Sequence, residues 1–301
     1  MQDGLSPRPP VQSVNFHLWQ PCNMHCHFCF ARFKDVRADV LPAGHLPEAK
    51  ALRVVTLLAE AGFQKLTFAG GEPFLCPWLD RLIARAHEHG MVTSVVSNGS
   101  LIGDVGVLAP VLDWLVLSID SVSASTLHAV GRTTAGRPLS AHDYRSLCRT
   151  ITASGIQLKT NTVVTRANKD EHLAPFIHEV GPRRWKILQM LPIAGQNGGV
   201  ANPLTVTKRE FDAYVERNAW VERHDITVVP EDNASMTASY AMIDPAGRFF
   251  DNIGGRYAYS TSILSDGVQA ALDQITIDSG KYRARGGEYD WERAPHSPTR
   301  C

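Results

Sequence analysis

Three cysteines, Cys22, Cys26 and Cys29, stand in a CxxxCxxC spacing directly after the apolar stretch Val14-Asn15-Phe16-His17-Leu18-Trp19. Three thiols are one short of the four that close a structural zinc site or an ordinary ferredoxin-type cluster. A 4Fe–4S cluster on three thiolates keeps one iron open to another ligand. The competing reading is a zinc knuckle completed by His17, His25 or His27. Zinc sites usually come as two separated ligand pairs, whereas here Cys76, Cys148 and Cys301 stand alone. The motif calls for a scaffold that presents a short thiol loop in a reducing compartment.

The 301 residues carry 30 Lys and Arg against 30 Asp and Glu. This balance excludes bulk attraction to nucleic acid or an anionic bilayer, so a polyanion must be met by a local group of cations. No apolar stretch is long enough to span a bilayer. Residues 1–10, with Pro7, Pro9 and Pro10, carry neither a signal-peptide core nor an arginine-rich transit pattern. The expected setting is cytoplasmic, with no membrane and no nucleic-acid partner. Cys148 lies in a helical pattern and reads as a small buried hydrophobe, a reading open to Cys76 as well.

Short runs rich in β-formers recur at 14–19, 65–68, 92–96, 114–119, 158–164 and 185–190. Helical patterns at 48–61, 78–89 and 144–153 alternate with them and stop at Gly62, Gly90 and Gly155. Such alternation predicts an α/β fold, a partial (β/α)6 barrel over 13–200. Residues 1–12 read as a flexible lead-in. Residues 201–301 read as an extension packed on the barrel, with a helix at 208–217 and a strand at 226–229.

In barrels of this kind, chemistry is built at the C-terminal ends of the strands. The first strand runs into the cysteine loop and the second into Ala69-Gly70-Gly71-Glu72-Pro73. The third runs into Ser97-Asn98-Gly99-Ser100 and the fourth into Ser118-Ile119-Asp120-Ser121. One such ending is common, because glycine-rich turns end many strands; four in order at one rim mark a ligand site.

These segments resemble those of radical SAM enzymes and, more closely, of the viperins, radical SAM nucleotide dehydratases of antiviral defence. The resemblance rests on NFH at 15–17, the cysteine loop at 22–30, LTFAGGEPFL at 66–75, SNGSLI at 97–102 and LSIDS at 117–121. It continues through KTNTV at 159–163, RWKILQ at 184–189, VPEDN at 229–233, Ser239-Tyr240 and RGGEYDW at 285–291. It implies a partial barrel of the radical SAM type, a 4Fe–4S cluster on Cys22, Cys26 and Cys29, and S-adenosylmethionine (SAM) on the open iron. One electron from the cluster then cleaves SAM and releases a 5′-deoxyadenosyl radical. Gly70 and Gly71 are expected to leave room for the methionine amino group. Glu72 is expected to order that loop, or else is a solvated or helix-capping glutamate. By resemblance, Ser118 and Arg132 hold the methionine carboxylate, and Ser97 and Asn98 lie along the nucleoside. Taken alone, Arg132 reads as a surface loop arginine.

The second implied ligand is a nucleoside triphosphate, CTP, UTP or GTP, with about four negative charges near pH 7. Candidate cations at the barrel mouth are Lys34, Lys65, Lys159, Arg184, Lys186, Arg256 and Arg285. A charged residue inside an apolar strand either faces solvent by alternation or points into a cavity; Lys159, beside Leu158, allows both. Asn15, His17, Asn161, Glu231, Asn233 and Tyr240 are the polar candidates for ribose and base, although His17 can equally be a core histidine. Tyr240 is also the candidate for late proton or hydrogen delivery.

The chain departs from animal viperins at Thr67 and Ala69, where those carry Asn and Ser, and at Tyr257, where those carry Lys. It is also expected to do without their amphipathic N-terminal helix and C-terminal tryptophan. The resulting expectation is a monomeric, microbial-type dehydratase that takes electrons from a flavodoxin or ferredoxin type donor and makes a 3′-deoxy-3′,4′-didehydro nucleotide. The alternatives are a radical SAM enzyme acting on another phosphorylated substrate and a non-catalytic, zinc-binding nucleotide sensor.

Overall fold

In the computed structural model, residues 9–291 are described; positions 1–8 of the expected lead-in and Cys301 lie outside them. Strands β1 (Ser13–Trp19), β2 (Lys65–Gly70), β3 (Val92–Ser97), β4 (Trp114–Ser118), β5 (Gln157–Val164), β6 (Arg184–Gln189) and β7 (Thr227–Glu231) follow one another in space, all parallel. Most crossovers are helical: α1 (Glu48–Glu60), α2 (Leu79–Glu88), α3 (Ala124–Ala129), α4 (Ala141–Ala153), α5 (Ala174–Val180) and α6 (Lys208–Asn218). α4 begins three residues before its apolar pattern because Ser140 and Asp143 form a capping box.

Residues beyond 200 extend the same sheet at both edges. β7 pairs with β6, while β8 (Ala241–Ile243) pairs in parallel with β1 and leads to antiparallel β9 (Arg248–Asp251) and β10 (Ala258–Ser262). β8 thereby covers the edge that β1 would otherwise expose. Among the described residues no helix is long and apolar enough to cross a membrane.

Alternation along the strands divides the two faces. Phe16, Phe68, Val95, Leu115 and Leu158 are register partners across five strands and are all buried in the core toward the helices. Each contributes about 1.5–3 kcal/mol relative to exposure. α1 meets this layer with Ala51, Val54, Val55 and Leu58, a helical stripe. The opposite, concave face carries polar residues, and every candidate ligand site lies there or at its rim.

Candidate active site

The end of β2 is folded flush against the thiol loop. A Cβ at Gly70, where φ is +139°, would lie 2.4 Å from the Trp19 carbonyl oxygen, and one at Gly71 would lie 2.1 Å from that of Pro21. The space these glycines leave is therefore taken by the backbone of residues 19–21, not held open for a ligand as the sequence suggested.

Glu72 ties the ends of β2 and β3 together. Its buried carboxylate accepts hydrogen bonds from Phe74 N–H (3.1 Å), Ser97 Oγ (2.9 Å) and Asn98 N–H (2.8 Å). It thus both orders the loop and caps the short helix Pro73–Leu75. Burial raises its pKa above the usual carboxylate value. Asn98 carries the connection onward: its Nδ2 donates to Asn23 Oδ1 at 2.9 Å and lies 4.0 Å from Cys22 Sγ. Arg132 is buried, not a surface residue, and its Nε pairs with Asp120.

The thiols fit a cluster better than a single ion. A structural zinc site is closed by four ligands at about 2.3 Å from each sulfur, and the loop offers three thiols, Cys22, Cys26 and Cys29. Three soft thiolates, each able to take a separate iron, suit an iron–sulfur cluster with an open position. Burial raises the pKa of all three, and Arg132 acts against it at each. Cys76 and Cys148 are buried in the apolar core.

A second site lies on the concave face near the N-terminal ends of the strands. Lys65, Lys159, Arg184, Lys186 and Arg285 line one pocket, together with Asn15, Thr67 and Tyr240. Lys159 therefore points inward, while its neighbour Leu158 is buried in the core. Glu231 is a carboxylate bonded to two of these cations, Lys186 and Arg285. It lies 2.6 Å from Lys186 Nζ and 3.3 Å from Arg285 Nη1, and it accepts a hydrogen bond from the Tyr240 hydroxyl. Burial first, then the neighbouring cations, lowers Lys65 to about 7 and holds Lys159 well below its ordinary value. Burial also lowers Lys186 to about 8 against the pull of Glu231. Five cations crowded around one carboxylate in a low-dielectric recess are stable only beside an anion or with protons lost.

The pocket is not at the mouth where the sequence placed these cations. Lys65 and Arg184 are the first residues of their strands, and the cysteines follow the last residue of β1. Asn15, Thr67 and Asn161 lie midway along their strands. Lys34 and Arg256 are exposed and outside the pocket lining. His17 sits among Phe30, Phe33 and Phe250, and burial lowers its pKa to about 4. His17 Nδ1, Asn161 Oδ1 and Asn233 Oδ1 are buried without a hydrogen-bond partner among the described residues. Ser118 is the register partner of Asn161.

Sequence reasoning missed Tyr289 and Trp291 as residues of this site. Lys65 Nζ donates to Tyr289 Oη at 2.5 Å, and the Arg184 guanidinium lies 3.8 Å from the Tyr289 ring centroid. The only signal was the RGGEYDW resemblance. With this segment in place the pocket has about 60 Å³ of free space, room for a few waters.

The Radical SAM superfamily pattern matches residues 19–180. An S-adenosylmethionine-dependent nucleotide dehydratase of Flammeovirga pacifica is 45% identical, over 94% of this chain and 97% of that protein. One of Lacinutrix mariniflava is 47% identical over 93% of this chain, which spans 59% of that relative's length. A Danio rerio dehydratase is 34% identical over 97% of this chain and 82% of its own. Among solved structures, native anSMEcpe with bound AdoMet superposes with a TM-score of 0.67 at 13% identity, covering 91% of this chain and 82% of that one. Streptococcus suis SuiB bound to S-adenosylmethionine gives 0.65 at 17%, covering 91% and 67%. These two speak for the fold alone. The thiol loop lies within the matched segment and the cationic pocket draws on residues far beyond it, and both are spanned by the dehydratase relatives: the chain belongs to the radical SAM superfamily and, within it, to the viperin-like S-adenosylmethionine-dependent nucleotide dehydratases, enzymes that work with SAM and a 4Fe–4S cluster.

Proposed function

We propose that this enzyme dehydrates a nucleoside triphosphate, CTP, UTP or GTP, to its 3′-deoxy-3′,4′-didehydro analogue, a chain terminator suited to antiviral defence. The observation that carries this reading is the five-cation pocket at the far end of the barrel from the thiols. β2 runs from Lys65 to Gly70, five residue steps, or about 17 Å at about 3.3 Å per residue. That span matches a nucleotide lying along the barrel axis, triphosphate at the N-terminal ends and ribose toward the thiol loop.

In this arrangement Cys22, Cys26 and Cys29 hold the cluster. Gly70, Gly71 and Glu72 shape the SAM site with Ser97, Asn98, Ser118 and Arg132. Bound together, cluster and SAM supply a carbon-centred radical that takes the ribose 4′ hydrogen. Lys65, Lys159, Arg184, Lys186 and Arg285 clamp the triphosphate, which fixes the ribose by proximity. Asn15, Thr67 and Asn161, at mid-height, are placed to bond ribose or base, with His17 above them and Asn233 at the flank. Tyr240 precedes β8, whose first residue, Ala241, pairs with Val14. Its hydroxyl donates to Glu231 and accepts from Lys186. We therefore assign Tyr240 to the phosphate end instead of to late proton delivery. Residues 286–291 must give up their contacts with Lys65 and Arg184 as the triphosphate enters. A flavodoxin or ferredoxin type donor, a monomeric state and a cytoplasmic setting complete the proposal.

Triphosphate affinity is expected to fall as pH rises from about 6 to 9. Lys65 and Lys186 bind the anion as cations, and in the free protein they lose their protons near 7 and 8. Titrations at fixed ionic strength check this; an affinity independent of pH would contradict it.

Substrate deuterated at the ribose 4′ carbon should pass deuterium into 5′-deoxyadenosine, whereas 3′- or 5′-deuterated substrate should not. Anaerobic incubation with SAM, a reductant and each triphosphate separately, read by mass spectrometry, also identifies the base. SAM cleavage indifferent to the nucleotide, with no deuterium transfer, would sink the proposal.

A further inference from the structure

We infer that the buried Asp120–Arg132 ion pair sets the reduction potential of the cluster, with Arg132 making reduction easier and Asp120 restraining it. The inference rests on the assignment of the cluster to Cys22, Cys26 and Cys29. Geometry fixes the pair against the loop that carries them. His27 N–H donates to the Val130 carbonyl at 2.9 Å, and His25 N–H to that of Gly131 at 3.3 Å. The fit at Gly131 is close enough that a Cβ there would lie 2.6 Å from His25 O. Arg132 follows directly, its guanidinium carbon 5.8 Å from the Phe28 ring centroid between Cys26 and Cys29.

Asp120 cannot retract. Its Oδ1 accepts from Val163 N–H at 2.7 Å, its Oδ2 from Arg132 Nε, and its carbonyl from Asn168 Nδ2 at 2.8 Å. Both residues are buried. Reduction adds one negative charge to a site already rich in thiolates. A fixed cation beside it stabilises the reduced state and a fixed carboxylate opposes it, and charge and burial are what tune such clusters. SAM carboxylate binding by Arg132 is a separate role, which a measurement without SAM leaves aside.

The test is the midpoint potential of the reconstituted full-length protein, followed by electron paramagnetic resonance without SAM. Arg132→Gln should shift it to a more negative value and Asp120→Asn to a less negative one. Arg132→Lys, which keeps the charge, should stay nearer the parent than Arg132→Gln. If Asp120→Asn does not fold, D120N/R132Q should still be less negative than Arg132→Gln alone. Shifts of one sign in both single variants, no shift, or a Lys variant equal to the Gln variant would overturn the inference. Failure of the parent chain to bind four irons overturns the cysteine assignment instead, a result that iron analysis separates from the others.

Discussion

Cys26→Ala protein is expected to hold no intact 4Fe–4S cluster and to release no 5′-deoxyadenosine from SAM. In the proposed assignment each of the three thiolates takes one iron, so loss of one leaves an iron without its protein ligand. Cys22→Ala and Cys29→Ala should behave alike. Cys76→Ala and Cys148→Ala are the controls: both thiols are buried among apolar side chains, so their loss should cost some stability and no iron. Iron per chain and cleavage product, assayed on anaerobically reconstituted samples, decide it. A full iron complement with continued SAM cleavage in Cys26→Ala would show the ligands to be misassigned.

Glu231→Gln should destabilise the nucleotide-free protein by about 3–5 kcal/mol, the usual cost of breaking a buried ion pair from one side. Burial raises the pKa of Glu231, but Lys186 and Arg285 together overcome this and hold it below the ordinary carboxylate value. Its contribution is thus present above the unfolded-state pKa near 4.5 and lost as pH falls through the lower folded value. With Glu231 neutral, Lys186 and Arg285 lack their carboxylate, so a saturating triphosphate should restore more stability to the variant than it adds to the parent. Denaturant unfolding with and without nucleotide measures both. A loss under about 1 kcal/mol, or equal stabilisation of both proteins, would contradict this account of the pocket.

Much of this was legible in the residues. Alternation of period 2 placed Phe16, Phe68 and Leu158 on one face and left Asn15, Lys159 and Lys186 for the other, because strand geometry is local. The four strand endings follow from the same local logic, whereas the bonds of Glu72 to Ser97 and Asn98 cross 25 and 26 residues and no local pattern announces them. What sequence could not give was depth and closure. Lys65 opens its strand, but only the assembled sheet reveals that it lies at the opposite end from the cysteines. Tyr289 meets Lys65 across a sequence separation of 224 residues, and Tyr282 meets Ser13 across 269. No periodicity encodes such contacts. Lys34 and Arg256 failed as pocket candidates for the same reason: their charge was visible and their direction was not.

The pairing of β1 with β8 gives the protein a timetable during synthesis. The thiol loop and strands β1–β6 lie within the first 190 residues, whereas Glu231, Tyr240, Arg285 and Tyr289 emerge last. At roughly 5–20 residues per second, the remaining stretch takes several seconds or more to leave the ribosome. Through that interval a nascent chain carries its cysteines but not the residues that complete the cationic pocket, so cluster assembly has an opening before that pocket exists. If the proposed pocket binds nucleotide, crosslinking of a photoreactive nucleotide to ribosome-bound chains of graded length, each carrying a C-terminal linker long enough to fill the exit tunnel, should begin only once Arg285 has emerged.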